Sequence, residues 1–364
     1  MKRSFILILL LVVGGTNVLA APLVAPSGFT RTGLTLKSGT GKDSCPPVQP
    51  YTADLNFPSK YEGDDVAKDT VNDVAQKVYQ DRSTPMRDLQ KLSSTFSDRL
   101  FRGKGYAGDL QCLVNHWTAW ANANALLGQP SNHIGNAVRK WTLAAVSTSY
   151  LKLRDNLQPG IAPADRQRIE GWLGGLAEQV RKDYQGRGPD KANNHDYWAA
   201  WSVMVSAVVL QRQDLFDWSY GVLVQAMGQV TPEGYLPNEL RRQTRALAYH
   251  SFALLPLSTL AAFAEANHRP ALALNQGAFA KLVAVVVANV DDDAAMVAKV
   301  GHPQIKQSLK ESGRLAWLAP YESLTHDPAL LPLIKQTMPL KSSMLGGDQT
   351  WLYLRDQTEL YPSK

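Results

Sequence analysis

One polar segment has the residue types of a carboxylate-binding site. Asn193, Asn194 and His195 come directly before a long apolar run, where an asparagine caps the first turn of a helix, and Asp196 would lie in that turn. Backbone N–H groups at a helix start attract an anion such as a carboxylate, and His195 adds a group that titrates near neutral pH. The alternative is ordinary helix capping beside a core histidine.

A second polar segment combines arginines with a tyrosine. Arg242 and Tyr249 are seven residues apart, so on one continuous helix they project from nearly the same face, with Arg245 between them. A guanidinium beside a phenol favours the phenolate, and we therefore expect the pKa of Tyr249 to be lowered. Such a tyrosine can act as a general base and then as a general acid. The alternative is a solvated basic face with a core tyrosine.

Together these residue types suit β-elimination on a uronate polymer. The C5 proton of a uronate is weakly acidic because the carboxylate beside it is already negative. Amide, imidazole and guanidinium groups would neutralise that carboxylate and stabilise the enolate-like intermediate. Tyr249 would remove the proton and protonate the departing glycosidic oxygen if both atoms lie on one side of the sugar.

The same segments leave two alternatives open. Trp198 and Trp201 could stack on sugar rings, although such aromatics are more often core residues. Asp196 and Glu239 could form the carboxylate pair of a glycosidase. Metalloprotease, hydrolase, P-loop and dinucleotide motifs are missing from the sequence, and the seven histidines show no metal-ligand spacing. We therefore expect neither a metal nor a cofactor.

Helical periodicity dominates the elements that must position these segments. The predicted helices span 109–127, 132–153, a segment opening at Pro163, 196–211, 214–229, 238–265 and about 274–291. Pro256 should end or kink the sixth of them. Residues 21–60 are rich in Pro, Gly, Ser and Thr and predict extended chain over a core. We expect one all-α domain over residues 21–364, built of antiparallel helical hairpins that can form a toroid with a central cleft.

The N-terminal residues have the pattern of a cleavable signal peptide. Lys2 and Arg3 precede an apolar core at 5–13, and small residues at 18–20 place the cut between Ala20 and Ala21. A membrane anchor is the alternative, although the apolar run is too short to span a bilayer. No later stretch looks long and charge-free enough for a membrane helix. We expect an exported protein without stable membrane insertion.

Two cysteines and a mildly basic net charge are consistent with an exported protein. Cys45 and Cys112 could form a disulfide in an oxidising compartment, and two free thiols are the alternative. The formal net charge of +6 becomes +4 without Lys2 and Arg3. A basic surface suits an anionic polysaccharide, and we expect no nucleic acid partner because the chain has no nucleic-acid-binding signature.

The chain resembles the mannuronate-specific alginate lyases of polysaccharide lyase family five. The resemblance covers most of the mature chain and is carried by segments 60–63, 108–112, 139–141, 193–204, 214–218, 236–250 and 317–321. The segments at 193–204 and 236–250 are long and specific. A second cysteine pair that some members have near 321–326 is absent here, which bears on the stability of that region and not on the chemistry.

The resemblance implies a fold and a catalytic group. The fold is an incomplete (α/α) toroid with a deep cleft. Asn194, His195 and Arg242 would neutralise the substrate carboxylate, and Tyr249 would be base and acid, with His195 as a second candidate for the base.

The resemblance also implies how substrate is held. Lys60 and Tyr61 match a mobile lid segment, and Gly63, Asp64 and Asp65 suit a flexible loop. The candidate substrate contacts are Lys60, Tyr61, Arg139, Trp141, Trp198 and Arg245.

These features lead to one primary hypothesis. We expect a monomeric, periplasmic poly(β-D-mannuronate) lyase that releases oligosaccharides with a 4-deoxy unsaturated uronate at the non-reducing end. Its partner would be alginate, and an alginate-export complex is a further partner to consider. The alternatives are a uronate polysaccharide hydrolase on a helical toroid and a non-catalytic periplasmic protein that binds alginate.

Overall fold

The structure, a computed structural model of the 364-residue chain, describes residues 21–41, 45–63, 67–158, 160–305, 309–311, 313–358 and 360. The predicted signal peptide at 1–20 lies outside the described residues. Asp64 and Asp65 of the predicted flexible loop also lie outside them.

Helices make up most of the described chain, so the all-α prediction is confirmed. The α-helices are α1 (Asp73–Phe101), α2 (Ala107–Asn122), α3 (His133–Arg154), α4 (Pro163–Tyr184), α5 (Asn194–Leu210), α6 (Gln213–Gln229), α7 (Pro237–Leu240), α8 (Ala246–Ala266), α9 (Ala278–Ala288), α10 (Ala294–Val300), α11 (Leu318–Thr325), α12 (Leu331–Thr337) and α13 (Gln349–Leu354). Short 3₁₀ turns occur at Ser27–Phe29, Gln243–Arg245, Pro328–Leu330 and Ser343–Leu345. Strands β1 (Leu34–Thr35) and β2 (Leu157–Gln158) pair in parallel, and β3 (Lys341–Ser342) and β4 (Gly347–Asp348) pair antiparallel.

Helix α5 lies at the centre of the packing. Its sequence after the first turn is apolar on all sides, which is typical of a buried helix. It packs against α3, α4, α6 and α8, and α3 in turn packs against α1. Successive helices joined by short connections form the antiparallel pairs of an (α/α) toroid, as predicted. The first turn of α5, which carries Asn194 and His195, is therefore supported on several sides.

The predicted helix at 238–265 is divided. Helix α7 ends at Leu240, a 3₁₀ turn follows, and α8 begins at Ala246. Gln243 adopts a φ of 47°, which no α-helix accommodates, so the backbone turns at this residue. The prediction that Arg242 and Tyr249 share one continuous helix is wrong.

Helix α8 continues through Pro256 to Ala266, so of the two predicted effects of this proline, an end or a kink, the end does not occur. The stretch Gln243–Ala266 is long and apolar enough to cross a membrane by length and composition alone, contrary to the sequence expectation. Most of that stretch is buried: 83% of its most apolar window lies inside the protein. Burial among other helices explains the apolar composition, because a core helix needs no polar face.

The segment before α1 lies over the helices as mostly irregular chain, as predicted. Its Leu55 and Phe57 side chains are buried in the hydrophobic core, and its Cys45 is joined to Cys112 of α2 by a disulfide. His116 lies close enough to both sulfurs for a metal site, but the sulfurs are bonded to each other and are not thiolates. Its Nε2 accepts a hydrogen bond from the Val48 N–H, so His116 also helps to fix this segment.

Candidate active site

A cleft of about 830 Å³ opens where α3, the start of α5 and the segment between α7 and α8 meet. Residues 59–63 and 67–71, called the lid segment below, form another part of its wall. The predicted site residues that line the cleft are Lys60, Tyr61, Trp141, Asn194, His195, Arg242, Arg245 and Tyr249. The structure therefore brings together two segments that are distant in sequence.

The backbone N–H groups at the start of α5 already donate to side chains of the protein. Asn193 is the cap, and its side-chain oxygen accepts from the His195 N–H at 2.9 Å. The Asp196 carboxylate accepts from the Asn193 N–H at 2.9 Å, and the Asn194 N–H donates to Glu239 at 2.7 Å. The expectation that free amides at this helix start bind an anion is therefore wrong. Side chains must hold any bound carboxylate.

Glu239 fixes the orientation of the Asn194 amide. The Glu239 side chain is fully buried, and both of its oxygens accept from Asn194 Nδ2, at 3.1 and 3.2 Å. Asn194 Oδ1, on the other side of the amide, is buried and has no hydrogen-bond partner among the residues that the structure describes. Burial raises the pKa of Glu239, although the Asn194 N–H groups and Arg242 oppose the shift. Asn194 thus offers an acceptor, and its donor is already occupied.

His195 lies half-buried between a lysine and a tryptophan. Its Nδ1 is 2.9 Å from Lys140 Nζ, and its ring stacks beside Trp141 at 6.3 Å between centroids. Burial lowers the pKa of His195 well below its usual value, and the positive charges of Lys140 and Arg242 lower it further. The imidazole is therefore neutral at neutral pH. Lys140 was not predicted as a site residue, although it stands in the 139–141 segment that carries the family resemblance.

Tyr249 lies beneath two guanidinium groups. Arg242 Cζ is 4.7 Å and Arg245 Cζ is 5.3 Å from the centre of its ring. The turn at Gln243 brings Arg242 there, in place of the regular helical spacing that was predicted. Burial raises the pKa of Tyr249 and Tyr61 raises it further, and together they outweigh the two arginines. The expectation of a lowered pKa is wrong for the protein without substrate.

Arg245 connects the lid segment to the rest of the cleft. Its Nη1 donates to Tyr61 Oη at 2.7 Å and to the Lys68 carbonyl at 2.6 Å, and Thr244 Oγ1 donates to Asp69 at 3.0 Å. Burial tends to raise the pKa of Tyr61, but Lys60 and Arg245 outweigh it and the pKa lies below its usual value. In this structure Arg245 therefore holds the lid segment across the cleft.

Two predicted sugar contacts are wrong. Trp198 is fully buried and packs against Phe252 at 5.5 Å between ring centroids, so it lies in the core and cannot reach a sugar. Trp201 is equally buried. Arg139 is 1% exposed, and its guanidinium pairs with Asp183 at 2.7 Å. It therefore positions a carboxylate that lines the cleft.

The carboxylate pair of the glycosidase alternative does not line the cleft. Glu239 binds Asn194 as described, and Asp196 is 3% exposed and paired with Arg187 at 2.7 Å. Several cleft residues were missed because their roles depend on tertiary packing. They include Gln76, Tyr79, His133, Asp183, Tyr184, Arg187 and Arg314.

Comparison with known proteins assigns the family. Residues 56–296 match the family model described as Alginate lyase. The chain is 41% identical over 341 residues to an alginate lyase of Pseudomonas aeruginosa, covering 93% of this chain and 92% of that protein. It is 39% identical over 345 residues to an alginate lyase of Cobetia marina, covering 93% and 91%.

The fold is that of a solved alginate lyase. The structure of alginate lyase A1-III from Sphingomonas species A1 matches with a TM-score of 0.73 and 24% identity, over 86% of this chain and 88% of that one. A variant of A1-III complexed with a tetrasaccharide matches with a TM-score of 0.77 and 24% identity, over 87% and 88%. The family model and the relatives together show that this chain belongs to the alginate lyase family.

Proposed function

We propose that the protein is a poly(β-D-mannuronate) lyase that depolymerises alginate by β-elimination at β-1,4-linked mannuronate. The observation that carries the proposal is the placement of Arg242 over Tyr249, in one cleft with the neutral imidazole of His195. Membership of the alginate lyase family and the tetrasaccharide complex of A1-III support the substrate class.

The substrate carboxylate would be neutralised by Arg242 and His195. A guanidinium offers paired donors to a carboxylate, and in a partly buried cleft such donors stabilise charge more strongly than water does. The amide nitrogen of Asn194 donates to Glu239, so only Oδ1, an acceptor, is left for the substrate. An acceptor can bind a hydroxyl group of the same sugar but not its carboxylate, which has no proton to donate. This is a different role from the one that the sequence suggested.

Tyr249 would transfer the proton. As the phenolate it takes the C5 proton, and the electron pair of that C–H bond forms the C4–C5 double bond. The C4–O4 bond breaks, and the departing oxygen takes the proton from Tyr249. The products are an unsaturated uronate at the new non-reducing end and a free hydroxyl on the leaving chain. Arg242 and Arg245 stabilise the phenolate, and burial opposes its formation.

The cleft also suits a polyanion. Lys60, Arg187, Arg242 and Arg245 line it, which concentrates an acidic polymer near the catalytic group. Trp141 and the lid segment also line the cleft and would contact the sugars. A volume of about 830 Å³ is sufficient for several sugar residues.

Product identity tests the proposal most directly. The purified protein should raise ultraviolet absorbance when it is mixed with polymannuronate, because the C4–C5 double bond is conjugated with the carboxylate. Polyguluronate should give a much slower rise, and acetylated polymannuronate tests the tolerance for acetyl groups. New reducing ends without new absorbance would establish the hydrolase alternative. Tight polymer binding without any product would establish the non-catalytic alternative.

The proposal includes export to the periplasm and a monomeric state. The signal-peptide pattern and the Cys45–Cys112 disulfide support an oxidising compartment. Mass spectrometry of the protein from the periplasmic fraction should find Ala21 as the first residue. Light scattering with and without alginate-export components would test the monomer and the export complex.

A further inference from the structure

Lys140 occupies an unusual position for a lysine. It lies on α3, it is fully buried and not among the described residues that line the cleft, and it contacts Nδ1 of His195. Its Nζ is 2.9 Å from His195 Nδ1 and 2.7 Å from Tyr184 Oη. Asp183 and Asp196, the carboxylates that act most on Lys140, pair with Arg139 and Arg187. Within the described residues, Lys140 forms no ion pair of its own.

We propose that Lys140 is a positioning residue that fixes His195 as the neutral tautomer with its proton on Nε2. This inference rests on the proposed elimination chemistry for the role that it gives to His195. It makes His195 a hydrogen-bond donor to the substrate carboxylate and excludes the base role that the sequence left open.

The hydrogen-bond inventory supports this tautomer. A charged lysine has only donors, so its hydrogen bond to Nδ1 requires a bare Nδ1 and a proton on Nε2. A neutral lysine has one lone pair, which the O–H of Tyr184 can occupy, and the lysine N–H then again donates to Nδ1. Burial raises the pKa of Tyr184 well above its usual value. The Tyr184 O–H therefore keeps its proton at any pH at which the protein works.

The other contacts of the His195 ring are consistent with a proton on Nε2. Among the described residues none forms a hydrogen bond with His195 Nε2, which leaves that atom for the cleft. Burial and the positive charges of Lys140 and Arg242 keep the imidazole from gaining a second proton. Trp141 stacks on the ring and fixes its plane. Lys140 thus selects which nitrogen carries the proton, and its neighbours fix where that nitrogen points.

Nitrogen-15 magnetic resonance of the free protein tests the tautomer without any substrate. The protein is labelled at histidine nitrogens, and the His195 signals are assigned by their loss in His195→Gln. At neutral pH we expect a protonated Nε2 and an unprotonated Nδ1. A proton on Nδ1, or on both nitrogens, would overturn the proposal even if the protein is an active lyase.

Lys140→Met tests whether Lys140 is what selects the His195 tautomer. Methionine keeps the length and removes every donor, so the two His195 nitrogens should become more alike as both tautomers are populated. We expect kcat on polymannuronate to fall roughly 100-fold, with a smaller change in KM. Lys152→Met is the matched control, because Lys152 is also buried on α3 but pairs with Asp98. It should lose stability and keep the His195 signature.

The outcomes separate this inference from the proposed function. An unchanged His195 signature and unchanged kcat in a folded Lys140→Met protein would refute the role of Lys140 and leave the lyase proposal intact. Failure of the absorbance assay with the expected tautomer in place would refute the elimination chemistry instead. The measurement on the unmodified protein decides the tautomer if Lys140→Met does not fold.

Discussion

Glu239 accepts hydrogen bonds from both the backbone and the side-chain nitrogen of Asn194, inside the protein core. Its carboxylate therefore acts as an extension of the first turn of α5 that is supplied by α7, 45 residues later in the chain and with α6 between the two helices. A carboxylate that looks catalytic in the sequence is used to orient a neighbour.

Glu239→Gln tests this relationship. The glutamine amide would face the Asn194 donors with one oxygen in place of two, so a buried donor loses its acceptor. We expect the free energy of unfolding to fall by about 1–3 kcal/mol and turnover to fall roughly 100-fold. Glu322→Gln is a matched control, because Glu322 is also buried and accepts from the Asp327 N–H away from the cleft. It should lose stability and keep its turnover.

Tyr249→Phe should remove proton transfer and leave polymer binding in place. The ring stays beneath the two arginines, so only the hydroxyl is lost. We expect kcat to fall about 10²- to 10⁴-fold, and the affinity for polymannuronate by titration to change little. Tyr235→Phe provides the control, because Tyr235 packs on His250 outside the cleft. Near-normal turnover in Tyr249→Phe would contradict the base and acid roles.

The raised pKa of Tyr249 predicts an alkaline dependence. Only the phenolate can take the C5 proton, so kcat/KM should rise from pH 7 towards pH 10 and beyond, as far as the fold survives. Tyr61 is one of the groups that raise this pKa. In Tyr61→Phe the rise should therefore occur at lower pH. The profile is measured as initial absorbance rates at low polymer concentration, and an unshifted profile would show that Tyr61 has no such effect.

Arg245→Ala should release the lid segment. It removes the donors to Tyr61 Oη and to the Lys68 carbonyl, and we expect KM to rise about 10-fold. Backbone amide exchange in the lid segment should become faster in the same variant. Arg241→Ala removes a neighbouring exposed arginine and serves as the control. If lid exchange stayed unchanged, the contacts of Arg245 would not hold the segment.

His250 predicts a loss of stability in acid. It is fully buried, its Nε2 accepts from the Leu236 N–H, and burial lowers its pKa to about 4. The unfolded chain has a pKa near 6.5, so it binds more protons between these values and the folded state is disfavoured there. The stabilising contribution, about 3 kcal/mol, is complete above pH 6.5 and is lost as pH falls to 4.

Denaturant unfolding at pH 7 and pH 4.5 measures this effect. The loss between the two conditions should be smaller in His250→Gln than in the unmodified protein. His195 contributes in the same direction, because its pKa is also lowered. An equal loss in both proteins would show that His250 does not titrate in this range.

The fold was largely predictable because its signal is local. Helical periodicity depends on residues three and four apart, and it placed the helices around Trp117, Trp172 and Trp201 within a few residues. The break at Gln243 was not predictable, because a residue other than glycine in the left-handed conformation leaves no trace in the periodicity. The break nevertheless sets where Arg242 lies.

The sequence predicted which residues line the site better than it predicted what each of them does. Asn194, His195, Arg242 and Tyr249 do line one cleft. Their pKa shifts and hydrogen-bond partners depend on burial and on residues distant in the chain, which a single sequence does not display. The lowered pKa expected for Tyr249 and the surface contact expected for Trp198 failed for this reason.

The burial of α5 has a consequence for how the enzyme fails. Amides of this helix should exchange only through global unfolding, because α5 is enclosed by α3, α4, α6 and α8. The lid segment is held by a few side-chain contacts and should open on its own, with a much smaller free energy. Partial denaturation would therefore first change which polymers enter the cleft, and the arrangement of Asn194 and His195 at the α5 start would be the last part to be lost.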